Sequence, residues 1–127
     1  MNTDAGARTP PEKEPDLWHL PEVREVRIRN RRFDPPRRVT TAGIDRNVTD
    51  AIEIEIRVSE PFAIRALGPV LWIGNVPLTV AENDRNVYRF FAFDPKLLRP
   101  NSPISIAWNS PNAPRKPTRR RYRPASP

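Results

Sequence analysis

The segment AIEIEIRVSE, residues 51–60, constrains the fold more than any other part of the sequence. Apolar residues occupy every second position in it, namely Ile52, Ile54, Ile56 and Val58. Polar residues occupy the positions between them, namely Glu53, Glu55, Arg57 and Ser59. Because successive side chains of a strand point to opposite faces, this pattern predicts a β-strand with one buried face and one face in water.

Other segments have strand character of the same kind, and they are VREVRIRN (23–30), NVYRFFAFD (86–94) and PISIAWNSP (103–111). The segment PVLWIGNVPLTV predicts a hairpin with a type II′ turn at Gly74-Asn75, because glycine tolerates the positive φ that this turn requires. Pro77 cannot donate to a ladder, so we expect it at an edge or an irregular position. In DPKLL, Asp94 is a predicted cap of one helical turn.

Two weaker strand candidates, RRVTT (37–41) and PFAIRA (61–66), bring the total to seven or eight short strands. No long stretch has a period of 3.6 residues. This pattern predicts an all-β fold, specifically a small antiparallel β-sandwich that is immunoglobulin-like in the broad sense, with a small β-barrel as the alternative. The repeated tetrapeptide Asp-Arg-Asn-Val, at 45–48 and 84–87, is more simply explained by turn chemistry than by duplication.

The distribution of proline and charge predicts the domain boundaries. The chain has 17 prolines and four glycines, and the prolines are frequent at both ends. Polar, proline-rich segments bury too little apolar surface to offset the entropy of ordering them. We therefore predict a flexible arm over residues 1–20, a single domain over 21–112 and a flexible basic tail over 113–127. The net charge of +7 comes from two basic segments, residues 21–40 and 113–127.

The sequence offers little for catalysis, so we predict a protein that is not an enzyme and that uses no metal or cofactor. There is no cysteine, which excludes disulfides and thiolate chemistry. His19 is the only histidine and lies beside Trp18, where docking onto the domain explains it best. Glu53 and Glu55 share a strand face, as residues on any exposed strand do. Without a signal peptide or an apolar run long enough for a membrane span, we expect a cytoplasmic protein that does not enter a membrane.

Two basic sets are candidate contacts for nucleic acid or another polyanion. The first follows a strand and a Pro-Pro turn and comprises Arg27, Arg29, Arg31, Arg32, Arg37 and Arg38. The second is in the C-terminal segment and comprises Arg115, Lys116, Arg119, Arg120, Arg121, Tyr122 and Arg123. Arginine neutralises phosphates, and an interleaved aromatic side chain can stack on an unpaired base. A shared groove requires both sets to lie on the same side of the domain.

The aromatic residues Trp72, Tyr88, Phe90 and Trp108 are candidates for a binding surface of another kind. If two of them are exposed and coplanar, they form a platform for a sugar ring; otherwise they fill the core. The leading interpretation of the whole sequence is a protein-binding or assembly module, with another protein or a second copy of the chain paired at a sheet edge or face. The alternatives are a nucleic-acid-binding protein and a carbohydrate-binding module.

Overall fold

The computed structural model of the chain describes residues 18–41 and 43–125. Within these residues the chain forms seven β-strands, which are β1 Val23–Thr41, β2 Ile44–Val58, β3 Pro69–Ile73, β4 Val76–Asp84, β5 Val87–Ala92, β6 Pro103–Trp108 and β7 Lys116–Arg121. Two short 3₁₀ turns lie at Arg65–Leu67 and Pro95–Leu97. In this part of the chain there is no helix of the length and apolarity that a membrane crossing requires.

All seven strands belong to one antiparallel sheet in the order β1-β2-β5-β4-β3-β6-β7. The predicted all-β, antiparallel class is therefore confirmed. The prediction of a sandwich of two sheets is wrong, because all seven strands form a single sheet. The alternative prediction of a barrel is also wrong, because this sheet does not close. The reason lies in β4, whose first half, Val76–Thr79, pairs with β3, and whose second half, Val80–Asp84, pairs with β5. This single strand makes one continuous sheet out of two halves.

The core lies where the two halves of the sheet face each other. Side chains that are at most 1% exposed come from both halves: Ile54, Ile56, Val58, Phe90, Leu71, Ile104 and Ile106. Tyr122, just beyond β7, completes the same cluster at 2% exposure. The alternation in β2 thus places Ile52, Ile54 and Ile56 on the core side of the sheet, as predicted.

The second strand also contains one departure from the prediction. Glu53 was expected on the wet face, but its side chain is only 1% exposed. The face is indeed the outer one, because Ile52 and Ile54 flank Glu53 with the opposite orientation. However, its cross-strand neighbour in β1 is Arg29, and the long guanidinium side chains of that strand cover the carboxylate.

The strand β5 could not be oriented from sequence, since both of its faces are apolar. In the structure Tyr88, Phe90 and Ala92 face the core. Phe91 is buried on the other face, where its ring packs edge-on against Phe33 of β1 with 5.3 Å between ring centroids. The outer face of this strand is therefore covered by β1 side chains instead of by a second layer of structure.

The predicted turns are confirmed. Gly74 has φ +60°, and Asn75 is not among the described residues with positive φ, which is the combination that a type II′ turn requires. Pro77 lies opposite Trp72, next to the hydrogen-bonded pair of Ile73 and Val76 that closes the hairpin. Because hydrogen-bonded and non-hydrogen-bonded pairs alternate, its missing N–H removes no bond of the β3–β4 ladder. Asp94 accepts a hydrogen bond from the Lys96 backbone N–H and caps the 3₁₀ turn that begins at Pro95.

Two segments differ from their predicted states. The C-terminal segment was predicted to be a flexible tail, but it forms β7 and its Tyr122 side chain lies in the core. The polar residues of β7 form a strand because they pair with β6, and this pairing does not require an apolar face. The weak strand candidate at 61–66 is irregular and leads into the first 3₁₀ turn.

Most of the predicted N-terminal arm, residues 1–17, lies outside the described residues. Of the remaining arm residues, Trp18 packs edge-on against Trp108.

The two copies of Asp-Arg-Asn-Val adopt different conformations. The copy at 45–48 lies within β2, whereas the copy at 84–87 forms the turn between β4 and β5, with Arg85 at φ +57°. A duplicated hairpin would place both copies in equivalent positions. The repeat therefore has no structural counterpart.

Candidate nucleic-acid interface

The first predicted basic set is neutralised by carboxylates. Each of its six arginines has a carboxylate oxygen within 4 Å: Arg27 at Glu25, Arg29 at Glu53, Arg31 at Glu53 and Glu82, Arg32 at Asp50, Arg37 at Glu82, and Arg38 at Asp45. Cross-strand register explains much of this pairing, because Arg29 lies opposite Glu53 and Arg32 lies opposite Asp50. Most of this positive charge is therefore balanced on the sheet itself.

Glu53 is the centre of the outer-face ion-pair cluster. Its Oε2 atom is 2.6 Å from Arg29 Nε, and its Oε1 atom is 2.8 Å from Arg31 Nη1. Burial raises the pKa of Glu53, but the hydrogen bonds and charges of the two arginines lower it by more, so the net pKa lies below its ordinary value. The same contacts raise the pKa of Arg29 and of Arg31. This arrangement stabilises the ionised carboxylate and gives no raised pKa of the kind that a catalytic acid needs.

The aromatic residue inside the first basic set is also occupied. The guanidinium of Arg31 lies 5.3 Å from the ring centroid of Phe33, and that of Arg37 lies 5.6 Å from it. Both guanidiniums also lie over Phe91, at 5.2 and 5.1 Å. Two cations and two rings thus form one packed cluster on the outer face. Phe33 is half-buried, and its ring is already contacted by two guanidinium groups and by Phe91.

The second basic set lies along the opposite edge of the sheet, which the curl of the sheet brings next to the first edge. The contacts between β7 and β1 are made by side chains and not by a backbone ladder. Arg120 Nη2 donates to the backbone carbonyl oxygen of Arg24 over 2.8 Å. Lys116 Nζ donates to the Leu20 carbonyl oxygen over 3.1 Å and also pairs with Glu22, and its hydrogen bond and charge lower the pKa of Glu22. We call this junction between the two edges the seam.

A groove of about 530 Å³ runs along the seam. Val26 and Ile28 of β1 line one side, and Pro124 and Ala125 lie at its end. Four guanidinium side chains line the rest, namely Arg119, Arg120, Arg121 and Arg123. A second depression, of about 410 Å³, continues the groove past Arg119 toward Pro21. The result is an apolar strip bordered by cations.

The seam arginines differ from those of the first set in their partners. Within the described part of the chain, the guanidinium groups of Arg120 and Arg121 donate only to backbone carbonyl oxygens, the latter to Asn101 over 2.9 Å. The side chains of Arg119 and Arg123 make no hydrogen bond or ion pair with the residues at 18–41 and 43–125. None of the four has a carboxylate oxygen within 4 Å in that part of the chain. The positive charge of the seam is thus left unbalanced, and it attracts anions.

Three members of the second set do not belong to this groove wall. Tyr122 is buried, and burial raises the pKa of its phenol, so its ring does not stack on a ligand. The guanidinium carbon of Arg115 lies over the ring of Trp72, 3.6 Å from the ring centroid. Lys116 forms the salt bridge with Glu22 that closes one end of the seam.

The aromatic candidates do not form a platform. Tyr88, Phe90 and Trp108 are buried in the core, and the hydroxyl oxygen of Tyr88 accepts a hydrogen bond from the Phe62 backbone N–H over 2.9 Å. Trp72 is half-buried and covered by the arginine described above. No pair of these four rings is both exposed and coplanar in the described structure.

Sequence reasoning did not identify the strip formed by Val26 and Ile28. Their alternation with Arg27 and Arg29 marks them as inward-facing, and inward-facing residues are normally core. They are only half-buried because β1 is an edge strand and the neighbouring edge, β7, does not pair with it. One feature of the sequence could have indicated this strip. The C-terminal strand is rich in arginine and has no apolar face that could cover Val26 and Ile28.

No group of three or more histidine, aspartate or glutamate side chains within residues 18–41 and 43–125 is arranged to hold a metal ion. Comparison with protein-family models, with curated proteins and with solved structures found no match to this chain. The functional assignment therefore depends on the geometry and charge of the surface.

Proposed function

We propose that this protein is a non-enzymatic binding module that holds a single-stranded nucleic acid along the seam. The observation that carries the proposal is the contrast between the two basic sets. The arginines of the first set are paired with carboxylates, whereas the seam arginines have none within 4 Å among the described residues. A guanidinium group without a carboxylate partner binds phosphate more readily, because no carboxylate of the protein competes for it.

The shape of the groove supports a single strand as the ligand. Phosphates lie beside Arg119 and Arg123, whose side chains are not engaged, while unpaired bases contact the apolar strip of Val26 and Ile28. Guanidinium planes also stack on bases. In a duplex the bases are already stacked and paired, so a duplex offers only its phosphates to this surface. We therefore expect a higher affinity for a single strand than for a duplex of the same length.

The size of the basic cluster sets the expected salt dependence. Four arginines neutralise at most about four phosphates, which for a single strand corresponds to a slope of about −3 in log affinity against log salt concentration. Replacement of two of them reduces the magnitude of the slope to about half. An oligonucleotide of mixed sequence is a suitable probe, because phosphate and stacking contacts discriminate little between sequences.

The test uses fluorescence anisotropy with a labelled single strand and its duplex. The double variant R119Q/R123Q removes two seam charges and keeps the backbone contacts of Arg120 and Arg121. The matched control is R38Q/R46Q, which removes the same charge at the far end of the β1–β2 hairpin. We expect R119Q/R123Q to weaken single-strand binding about tenfold or more and the control to change it by less than about threefold. Equal losses in the two variants would indicate a response to net charge alone and would contradict the proposed site.

A further inference from the structure

A further pocket, of about 540 Å³, lies next to the end of the seam that is closed by Lys116. Lys116 lines both this pocket and the depression that runs toward Pro21. Arg119 in turn lines both that depression and the seam groove. The three cavities therefore follow one another along the junction of the two sheet edges, and one extended ligand can lie in all of them. We call the last cavity the end pocket.

The end pocket has aromatic and proline walls, formed by Trp18, Leu20, Trp108, Pro111 and Pro114. Trp108 Nε1 donates a hydrogen bond to the backbone carbonyl oxygen of Trp18 over 2.8 Å, and the two indoles pack edge-on with 5.9 Å between ring centroids. These contacts hold Trp18 at the pocket, although the residue is 60% exposed. An exposed indole that is held in place offers a surface on which a planar ring can stack.

The end pocket also contains polar groups suited to the edge of such a ring. The hydroxyl of Ser110 and the amide of Asn112 line it, and neither side chain has a hydrogen-bond partner among the residues that the structure describes. A hydroxyl and an amide each donate and accept, so together they can pair with the mixed donors and acceptors of a nucleobase edge. The pocket therefore combines a stacking surface with hydrogen-bonding groups that the protein itself does not use.

Continuity with the basic groove decides between two kinds of ligand. Pockets lined by tryptophan and proline also bind proline-rich peptides. Such a peptide has no anionic groups for the guanidiniums that line the seam groove. A nucleic acid strand has both a planar base for the end pocket and phosphates for those arginines. The nucleic acid strand is therefore the ligand that matches the whole length of the junction.

We propose that the end pocket binds one unpaired base of the single strand whose phosphates lie along the seam. The inference rests on the proposed function and adds to it a site that contacts a base instead of the backbone. The base stacks on Trp18 and hydrogen-bonds through its edge to Ser110 or Asn112. A duplex cannot supply this base, because its bases are already paired and stacked.

The first experiment measures single-strand binding by W18A across a salt series. The variant removes the stacking surface, keeps the backbone carbonyl that accepts from Trp108 and changes no charge. We expect affinity to fall about tenfold, as for the loss of one stacked base. The salt slope should stay at the wild-type value, because no phosphate contact is lost. W18F keeps an aromatic face and should bind within about threefold of wild type.

The matched control is L97A, which shortens another large apolar side chain that is 60% exposed but does not line the end pocket. It should leave affinity unchanged. Equal losses in W18A and L97A, or wild-type affinity in W18A, would overturn the end pocket. A loss of salt slope in R119Q/R123Q together with wild-type affinity in W18A would overturn the end pocket alone and leave the seam standing. The absence of single-strand binding by wild type would contradict both.

Tryptophan emission provides a second readout that does not depend on affinity. A base stacked on Trp18 should quench the emission of wild type at saturation, and W18F should lose most of this quenching although it still binds. A strand of the same length without bases keeps the phosphates and should give little quenching. If W18A fails to fold, W18F still decides, because undiminished quenching in that variant contradicts stacking on Trp18. Quenching by a proline-rich peptide and not by the strand would also overturn the proposal.

Discussion

Arg120 Nη2 donates a hydrogen bond to the backbone carbonyl oxygen of Arg24 over 2.8 Å, which joins the last strand of the sheet to the first. A closed barrel would have a ladder of backbone hydrogen bonds at this junction. Here side chains make the connection, so the strands stay far enough apart for a groove between them. The same geometry that leaves the sheet open thus creates the basic surface that we propose as the nucleic-acid site.

The position of Tyr122 predicts that the C-terminal segment is needed for stability. Its ring is 2% exposed in the main core cluster, so Y122A should lower the free energy of unfolding by about 4 kcal/mol through lost burial and a residual cavity. Its hydroxyl has no hydrogen-bond partner among the described residues, so Y122F should change stability by less than about 1 kcal/mol. Urea denaturation followed by tryptophan fluorescence measures both. A mild effect of Y122A would show that the segment does not contribute to the core.

The same residue predicts a loss of stability at alkaline pH. Burial raises the pKa of Tyr122 above its ordinary value of 10.0, so the folded state favours the neutral phenol. The resulting stabilisation is fully present below pH 10.0 and is lost as the pH rises through the pKa of the folded state. Unfolding free energies of wild type and Y122F from pH 7 to pH 11 should diverge at the alkaline end, with Y122F the more stable there. Parallel curves would contradict a buried phenol.

The buried carboxylate of Glu53 predicts a second large stability effect. E53A leaves Arg29 and Arg31 without their shared partner, and we expect a loss of about 3 kcal/mol in the free energy of unfolding. Glu25 is the matched control on the same face, because its exposed pairs with Arg27 and Arg57 are worth less than about 1 kcal/mol. Urea denaturation of both variants provides the comparison. Similar losses would mean that the burial of Glu53 has no energetic consequence.

The lowered pKa of Glu53 also predicts how its contribution to the free energy of unfolding depends on pH. The pKa is depressed in the folded state, so the stabilisation is present above the ordinary value of 4.5 and is lost as the pH falls through the folded-state pKa. Wild type should therefore exceed E53Q in stability at pH 7, and the difference should shrink below pH 4.5. Chemical denaturation at several pH values between 3 and 7 measures it. A difference that is constant across this range would contradict the assignment.

The sequence predicted most strands where alternation is strong. Ile54 and Ile56 of β2 and both isoleucines of β6 are buried, and the turn at Gly74 forms the expected hairpin, because both signals are local. Pro77 also lies where its missing N–H removes no bond of the β3–β4 ladder. These features depend on side-chain direction and turn geometry within a few residues, which a single sequence contains.

The C-terminal strand and the seam could not be predicted from the sequence, because they depend on contacts between residues that are distant in the chain. Residues 116–121 contain no apolar alternation, and their strand state depends on pairing with β6. The neutralisation of Arg29 and Arg31 depends on register with Glu53 and on the approach of Glu82 from β4. A composition-based argument treats all arginines alike, whereas the structure divides them into paired and unpaired sets.

The most direct test of the central claim is the salt dependence of single-strand binding by wild type, R119Q/R123Q and R38Q/R46Q. Substitution is preferable to deletion, because removal of the C-terminal segment also removes Tyr122 from the core. The account predicts a slope of about −3 for wild type and R38Q/R46Q, and about half that magnitude for R119Q/R123Q. Equal slopes for all three proteins, or a loss confined to R38Q/R46Q, would contradict a nucleic-acid site at the seam.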